Sequence, residues 1–435
     1  VKLKRRLLVR QRYDKRRYNI VVIGSGPAGM AAAVSAADSG ASVCLAEREE
    51  RMGGILKQCI HDGFGLIRFE EKLTGPEYAW RYQQMVNEQD IDFLNLTFLT
   101  DIKRNGAGFI LTFVNPENGV FNIEADSLVM AMGCRERTGR QIFLHGERPS
   151  GIFTAGQAQD FINLKGYMPS RRCVILGSGD IGLIMARRLT LEGAEVIGVY
   201  EIGNAPSGLT RNIVQCLDDF NIPLQLNSTV TRVHGRSRVE GVTICKVDAQ
   251  KCPMPETAFR VDCDSLLLSV GLIPENDILG PLKVELDSVT HGPIVDQRQE
   301  TSVPGIFSCG NALHVSDLVD YVSESGHIAG LNAAARTLSK KLASPAMKIH
   351  TSGILQYAVP QKISFPAEGL EPVFFRPSKA AEHAEFIFRQ GDDVLYRKRL
   401  NWLKPSEMRR LEVDLSMVLP GGLPAVFELR EAECD

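Results

Sequence analysis

The sequence predicts an α/β protein in which one Rossmann-like unit occurs twice and an all-β, sandwich-like segment follows. Three observations carry this. A Gly-Ser-Gly-x-x-Gly turn stands after an apolar run at Gly24 and again at Gly177, each opening a helical stretch. Each copy then passes through a polar, alternating stretch and returns on an apolar strand that ends in glycine. From Ala343 onward the apolar pattern changes to period two, the spacing of half-buried strands. At ~150 residues per domain, 435 residues leave room for about three such bodies.

Composition bounds the function classes. With 44% hydrophobic and 23% charged residues, the chain has the make-up of a globular protein rather than a disordered or membrane-embedded one. Residues 1–17 hold nine Lys and Arg against the single acid Asp14, so the remainder carries 41 basic and 51 acidic residues. A body of that sign offers no footing for nucleic acid. Within the basic arm only Leu7, Leu8 and Val9 form an apolar run, too short for a signal-peptide core or a membrane span. It reads as a solvated arm, and the protein as cytoplasmic. The ten cysteines include no C-x-x-C and no zinc or iron–sulfur spacing, so no metal site is expected.

The first unit runs from the strand Asn19-Ile-Val-Val-Ile through Gly24-Ser25-Gly26-Pro27-Ala28-Gly29 and an Ala-rich helix to Ala41-Ser-Val-Cys-Leu-Ala-Glu47. The second repeats it as Cys173-Val-Ile-Leu, Gly177-Ser178-Gly179-Asp180-Ile181-Gly182, a helix to Leu191, and Glu195-Val-Ile-Gly-Val-Tyr-Glu201. A lone glycine pattern is weak evidence. Here each copy follows a strand, opens a helix and is followed 18 or 19 residues after its last glycine by an acid closing the next strand, the context of a dinucleotide fingerprint. The first glycine permits the turn, the second lets the backbone approach a pyrophosphate, and the third allows close packing of the helix, whose N-terminus attracts the anion. Glu47 and Glu201 can each accept two hydrogen bonds from an adenosine ribose and would repel a 2′-phosphate, so the second copy favours NAD over NADP.

The tails match as well. Ile91 to Glu124, with turns at Asn105-Gly106 and Asn118-Gly119, leads to Ser127-Leu-Val-Met-Ala-Met-Gly133, and Ile222 to Asp262 leads to Ser265-Leu-Leu-Leu-Ser-Val-Gly271. Each reads as a small β-meander returning to its main sheet. Beyond Ala343, seven short strands are expected, at about Gln356, Lys362, Pro372, Ala384, Val394, Arg410 and Ala425, as in a sandwich of immunoglobulin-like plan. No nucleophile or phosphate loop lies there, so this part reads as a cap or docking module, with both nucleotide sites upstream of it.

With Arg51-Met52-Gly53-Gly54 and the run from Thr301 to Gly310-Asn311, these motifs resemble the two-dinucleotide-binding-domain flavoproteins of the pyridine nucleotide-disulfide oxidoreductase superfamily, over about residues 18–340. The resemblance implies FAD at the first copy, held by Gly24, Gly26, Pro27, Ala28, Gly29, Glu47, Arg48, Gly53, Gly54, Gly133, Gly310 and Asn311. It implies a nicotinamide nucleotide at Gly177, Gly179, Asp180, Ile181, Gly182, Glu201 and Gly271. The implied division is an arm over 1–17, an FAD domain over 18–160 and 286–342, an inserted NAD domain over 161–285 and the β domain over 343–435. Two departures stand out. The family's Gly-Asp, whose acid bonds the flavin ribityl chain, is Gly310-Asn311 here, and Cys59 has no adjacent partner, so no dithiol relay is visible. Val315 to Gly330 resembles the helix whose N-terminus faces the flavin pyrimidine ring.

Longer phrases, such as Gly53-Gly-Ile-Leu-Lys-Gln-Cys-Ile-His-Asp-Gly-Phe-Gly65 and Gly208-Leu-Thr-Arg-Asn-Ile-Val-Gln-Cys216, are similar to a bacterial subgroup associated with a glycerol-3-phosphate dehydrogenase and, more distantly, to nucleotide-binding subunits of heteromeric amine oxidases such as sarcosine oxidase. The resemblance implies an FAD-dependent enzyme that moves hydride between NAD(H) and flavin and exchanges electrons with a partner redox protein in an oligomeric or heteromeric complex, with no membrane span. A free-standing NADH oxidase or small-acceptor reductase, and an assembly subunit with a vestigial nicotinamide site, stay open as alternatives. No residue is singled out as catalytic. Cys59 and Cys309 could sit near the flavin, His61 and His314 adjoin its motifs, and Arg135 and Arg137 could meet a phosphate or lie in a solvated loop.

Overall fold

A computed structural model describes residues 16–339 and 345–432, so the basic arm lies outside the described residues except for Arg16 and Arg17. Arg17 opens the first strand, Arg17–Ile23, which sits in a seven-stranded sheet between Val43–Ala46 and Gly119–Met130, parallel to both. Ile20, Val21 and Val22 are wholly buried because helices cover one face of this sheet and the meander the other. Gly119–Met130 is 12 residues long and serves two roles: its first half pairs with Gly108–Asn115 in the meander, its second half with the central strand.

One helical pairing closes the first unit. Gly326 and Gly330 of the helix Val319–Ser339 lie so close to Pro27–Asp38 that a Cβ at either would stand 2.0 Å from the Ala28 carbonyl oxygen or 2.1 Å from that of Ala32. The expected helix from Val315 therefore begins four residues later and runs to Ser339. The reason is tertiary: the Ser316 N–H donates to Asn311 Oδ1, and Asp317 is bound by Arg376 and by the Met408 N–H, which hold residues 315–318 as a loop.

The second copy builds a five-stranded parallel sheet, in the order Ile152–Thr154, Ser265–Leu268, Arg172–Leu176, Glu195–Tyr200 and Leu224–Gln225. Helices Ala155–Asn163 and Asp180–Leu191 pack on one face; Ser228–His234, Gly241–Lys246 and Phe259–Val261 form the meander on the other. A short antiparallel ribbon, Cys134–Glu136 against Leu272–Pro274, joins the two units.

Among the described residues, the C-terminal region has eight strands rather than seven. The additional one, Ala346–Gly353, buries only Ile349, so it has no alternation to reveal it. Five strands, Lys362–Ser364, Ala346–Gly353, Ala425–Glu431, Ala381–Gln390 and Asp393–Leu403, face three, Leu355–Val359, Leu370–Pro377 and Arg409–Asp414. Phe375, Phe386, Phe388 and Phe427 fill the space between them. Ala346–Gly353 runs parallel to Ala425–Glu431, which departs from the wholly antiparallel plan expected.

This region is wired into the first unit. Gln297 and Ser364 exchange two hydrogen bonds of 2.7 and 2.9 Å, and Arg410 binds Glu324 through two nitrogens. Arg376 pairs with Asp317, both only 14% exposed.

Candidate functional site

The first glycine turn opens onto a cavity of about 1040 Å³. Its walls include Gly24, Gly26, Pro27, Ala28, Glu47, Arg48, Gly54, Gly133 and Asn311. The other residues expected here play a packing role behind the wall. Gly29 lets the helix abut the turn, since a Cβ there would stand 1.7 Å from the Gly24 carbonyl oxygen. Gly53 (φ +116°) donates its N–H to the Ser25 carbonyl, and Gly310 (φ +61°) faces Ala28.

What Gly26 faces tests the fit of these walls to a dinucleotide. A Cβ added there would meet no protein atom within 4 Å, so the peptide is bare toward the cavity while the helix N-terminus at Pro27 lies beside it. An anion can reach those N–H groups. Just past the strand Val43–Ala46 stands Glu47, 7% exposed. It accepts from the Ser25 N–H (2.8 Å) and hydroxyl (2.7 Å) on Oε2 and from the Glu49 N–H (3.0 Å) on Oε1. The residues present therefore fit the group.

Of the residues assigned to the second nucleotide site, Ile181 alone lines this cavity. Glu201 nevertheless repeats the geometry of Glu47: Oε2 accepts from the Ser178 N–H (2.9 Å) and hydroxyl (2.6 Å), and Oε1 from the Gly203 N–H (2.8 Å). The Ser207 hydroxyl adds a longer bond of 3.4 Å to Glu201 Oε2, so on both acids Oε2 is occupied while Oε1, with one bond, keeps about one lone pair for a ribose hydroxyl rather than the two expected. Gly177, Gly182 and Gly179 pack against Ser269: a Cβ added at them would stand 2.2 Å from its carbonyl oxygen, 2.5 Å from its Cβ and 2.9 Å from its Oγ. Asp180 turns its Oδ1 to the Leu209 N–H (2.8 Å) and Asn212 Nδ2 (2.6 Å). Gly271 (φ +105°) lies beside Arg137.

The remaining candidates separate clearly. Cys59 lines the cavity, whereas Cys309 is fully buried behind it. Cys134, which sequence reasoning did not select, lines the cavity too, because the ribbon between the units folds it inward; Asn311 Nδ2 donates to its sulfur at 3.7 Å. Burial pushes the Cys59 thiol up to about 12 and that of Cys134 to about 11, so both are poor nucleophiles. His61 is held below its usual value, mainly by burial. His314 is buried against Tyr357 and Phe374 and is lowered to about 3, first by burial and then by Arg376. Arg135 binds Glu275 (2.6 Å) and Asp277 (3.2 Å), so its charge is already matched within the chain. Ser25 and Ser178 were also overlooked; the signal was serine at the same variable position in both copies.

Two glycine turns of this kind, one on a dinucleotide-sized cavity and one in an inserted unit, define a flavin- and pyridine-nucleotide-dependent class. The chain belongs to the pyridine nucleotide-disulphide oxidoreductase family, whose model matches residues 18–334, and it is an FAD-dependent oxidoreductase. It is 24% identical over 352 residues to an opine oxidase subunit of Agrobacterium tumefaciens, covering 76% of this chain and 68% of that one. It is 25% identical over 394 residues to the alpha subunit of the sarcosine oxidase of a Corynebacterium species, covering 87% of this chain but only 38% of the relative. The thioredoxin reductase structure from T. acidophilum shares the fold, with a TM-score of 0.60 and 24% identity over 74% of this chain and all of that one. No helix among the described residues is long and apolar enough to cross a membrane.

Proposed function

We propose that this chain is the nucleotide-binding subunit of a larger redox enzyme, moving hydride between NAD(H) and FAD and exchanging electrons with a partner redox protein. The observation that supports it most is the pair of anchored acids, Glu47 and Glu201, each beside a glycine turn. In this reading Gly24, Gly26 and the helix at Pro27 take the FAD pyrophosphate, Glu47 the adenosine ribose, and Asn311 the ribityl chain. Gly177, Gly179 and the helix at Asp180 take the nicotinamide nucleotide, with Glu201 favouring NAD. Bound FAD would supply the two-electron acceptor that no side chain here provides. The chain's own groups position and shield: Cys59 and Cys134 present neutral thiols to the cavity, and the half-buried loop at Ser316–Asp317 helps close one end.

The division proposed is 18–160 with 286–342 for the FAD domain, 161–285 for the NAD domain and 343–435 for the β domain. The relatives named as oxidase subunits support a heteromeric assembly. Resemblance of the Gly53–Gly65 phrase suggests a glycerol-3-phosphate dehydrogenase system as the partner, in the cytoplasm. Anaerobic mixing with NADH tests the reading: bleaching of the flavin band is expected, and a flavin that stays oxidised would reduce the chain to an assembly subunit.

A further inference from the structure

The fingerprint leaves the residue between its first two glycines free, since only the glycines are sterically required. Both copies nevertheless place a fully buried serine there, and both serines do the same thing. In the second copy the geometry goes further. The Ser178 hydroxyl donates to Glu201 Oε2 at 2.6 Å and accepts from the Ser207 N–H at 2.9 Å, so its hydrogen-bonding capacity is directed at both the acid and the loop that follows it. The Ser178 N–H adds a second bond to the same carboxylate oxygen, at 2.9 Å. Oε1 is left with the Gly203 N–H alone.

We infer that Ser178 is a positioning residue for nucleotide selectivity: by fixing Glu201 and the Ser207 loop together, it sets how strongly the second site prefers a free adenosine 2′-hydroxyl to a 2′-phosphate. This rests on the reading of the second copy as the nicotinamide-nucleotide site. An acid discriminates against a 2′-phosphate only if it cannot move away, because a mobile side chain relieves the repulsion by rotating. Two bonds from Ser178 to one oxygen and one from Gly203 to the other remove that freedom. Oε1 then keeps a lone pair for one ribose hydroxyl. Without the hydroxyl, the carboxylate loses its shortest charge-assisted bond and the Ser207 N–H loses its acceptor; two backbone N–H groups and the longer Ser207 hydroxyl bond (3.4 Å) remain, so the acid is held less firmly and moves together with the loop.

The test measures binding of ADP-ribose and of its 2′-phosphate to the full flavin-loaded chain by calorimetry, which needs no turnover. Ser178→Ala is expected to lower the ratio of the two affinities about tenfold, the size of one charge-assisted hydrogen bond, and Ser178→Thr to restore most of it. Glu201→Ala is measured beside them and should lower the ratio further. A ratio that collapses in Glu201→Ala but is unchanged in Ser178→Ala would overturn the role of Ser178 alone. If Glu201→Ala leaves the ratio at its wild-type value, the second copy is not the nucleotide site as read here, and the inference falls with it.

Discussion

Replacing Arg376 with Met should destabilise the C-terminal region by about 3–5 kcal/mol, the cost of leaving one member of a buried ion pair without its partner. Both side chains are 14% exposed, so solvent and the Met408 N–H compensate Asp317 only in part once the guanidinium is gone. Arg376 also donates to the Tyr357 hydroxyl (3.1 Å) and the Val315 carbonyl (3.4 Å), which lose those donors together with Asp317. The chain has two tryptophans, Trp80 in the first unit and Trp402 in the β region, so in a Trp80→Phe background urea unfolding read at Trp402 reports this region alone. With an m-value of ~1.5 kcal/mol/M, the midpoint should fall by about 2–3 M. Because Asp317 lines the cavity, flavin should be released in the same range. Arg376→Met with Asp317→Leu should recover much of the loss, since no buried charge then remains unpaired. A single variant with an unchanged midpoint and full flavin content would refute the reasoning.

Gly26→Val should yield a folded chain that retains no FAD, because a Cβ there meets no protein atom and the side chain enters the cavity; normal flavin content would refute its place there. Deleting residues 346–435 uncovers Asp317, Leu313 and Val295, so flavin is expected to be lost although every residue assigned to the two nucleotide sites lies upstream; a truncated chain with full flavin content would refute that dependence. Anaerobic titration should consume one two-electron equivalent of NADH per FAD, with no thiolate-to-flavin charge-transfer band below about pH 10, because Cys59 and Cys134 titrate at about 12 and 11; a second equivalent would show a working dithiol. His314 titrates at about 3 folded and ~6.5 unfolded, so the unfolded chain binds the extra proton between those values. Stability contributed by its neutral form is complete above pH 6.5 and is lost as pH falls toward 3, by on the order of 5 kcal/mol. His314→Phe should flatten that limb of the stability profile, and an unchanged slope would remove His314 from it.

The repeated unit was legible because its constraints are steric and local: glycines at Gly24 and Gly177 sit at φ +97° and +88°, where other residues are strained. Apolar runs announced the parallel strands for the same reason, being buried on both faces. What was hidden depends on contacts distant in sequence. The start of the helix at Val319 is set by Arg376, 59 residues beyond the Asp317 that it binds, and Cys134 reaches the cavity only because a two-stranded ribbon turns it there. Ser25 and Ser178 were visible as letters but silent as chemistry, since their partners Glu47 and Glu201 stand 22 and 23 residues away. Ala346–Gly353 buries a single side chain and so left no periodic trace.

The close crossing of Val319–Ser339 over Pro27–Asp38 has a consequence for synthesis on the ribosome. The first helix emerges early, yet the glycines that seat against it and the strand Ile306–Ser308 that extends its sheet are made nearly 300 residues later. At ~5–20 residues per second, that interval is roughly 15–60 s. Throughout it, the apolar face formed by Ala28 and Ala32 waits uncovered, while the inserted unit, contiguous in sequence, can already fold. Cofactor capture is therefore a late event, and a nascent chain stalled before residue 319 should display a folded second unit, an incomplete first one and an exposed alanine surface for chaperones to hold.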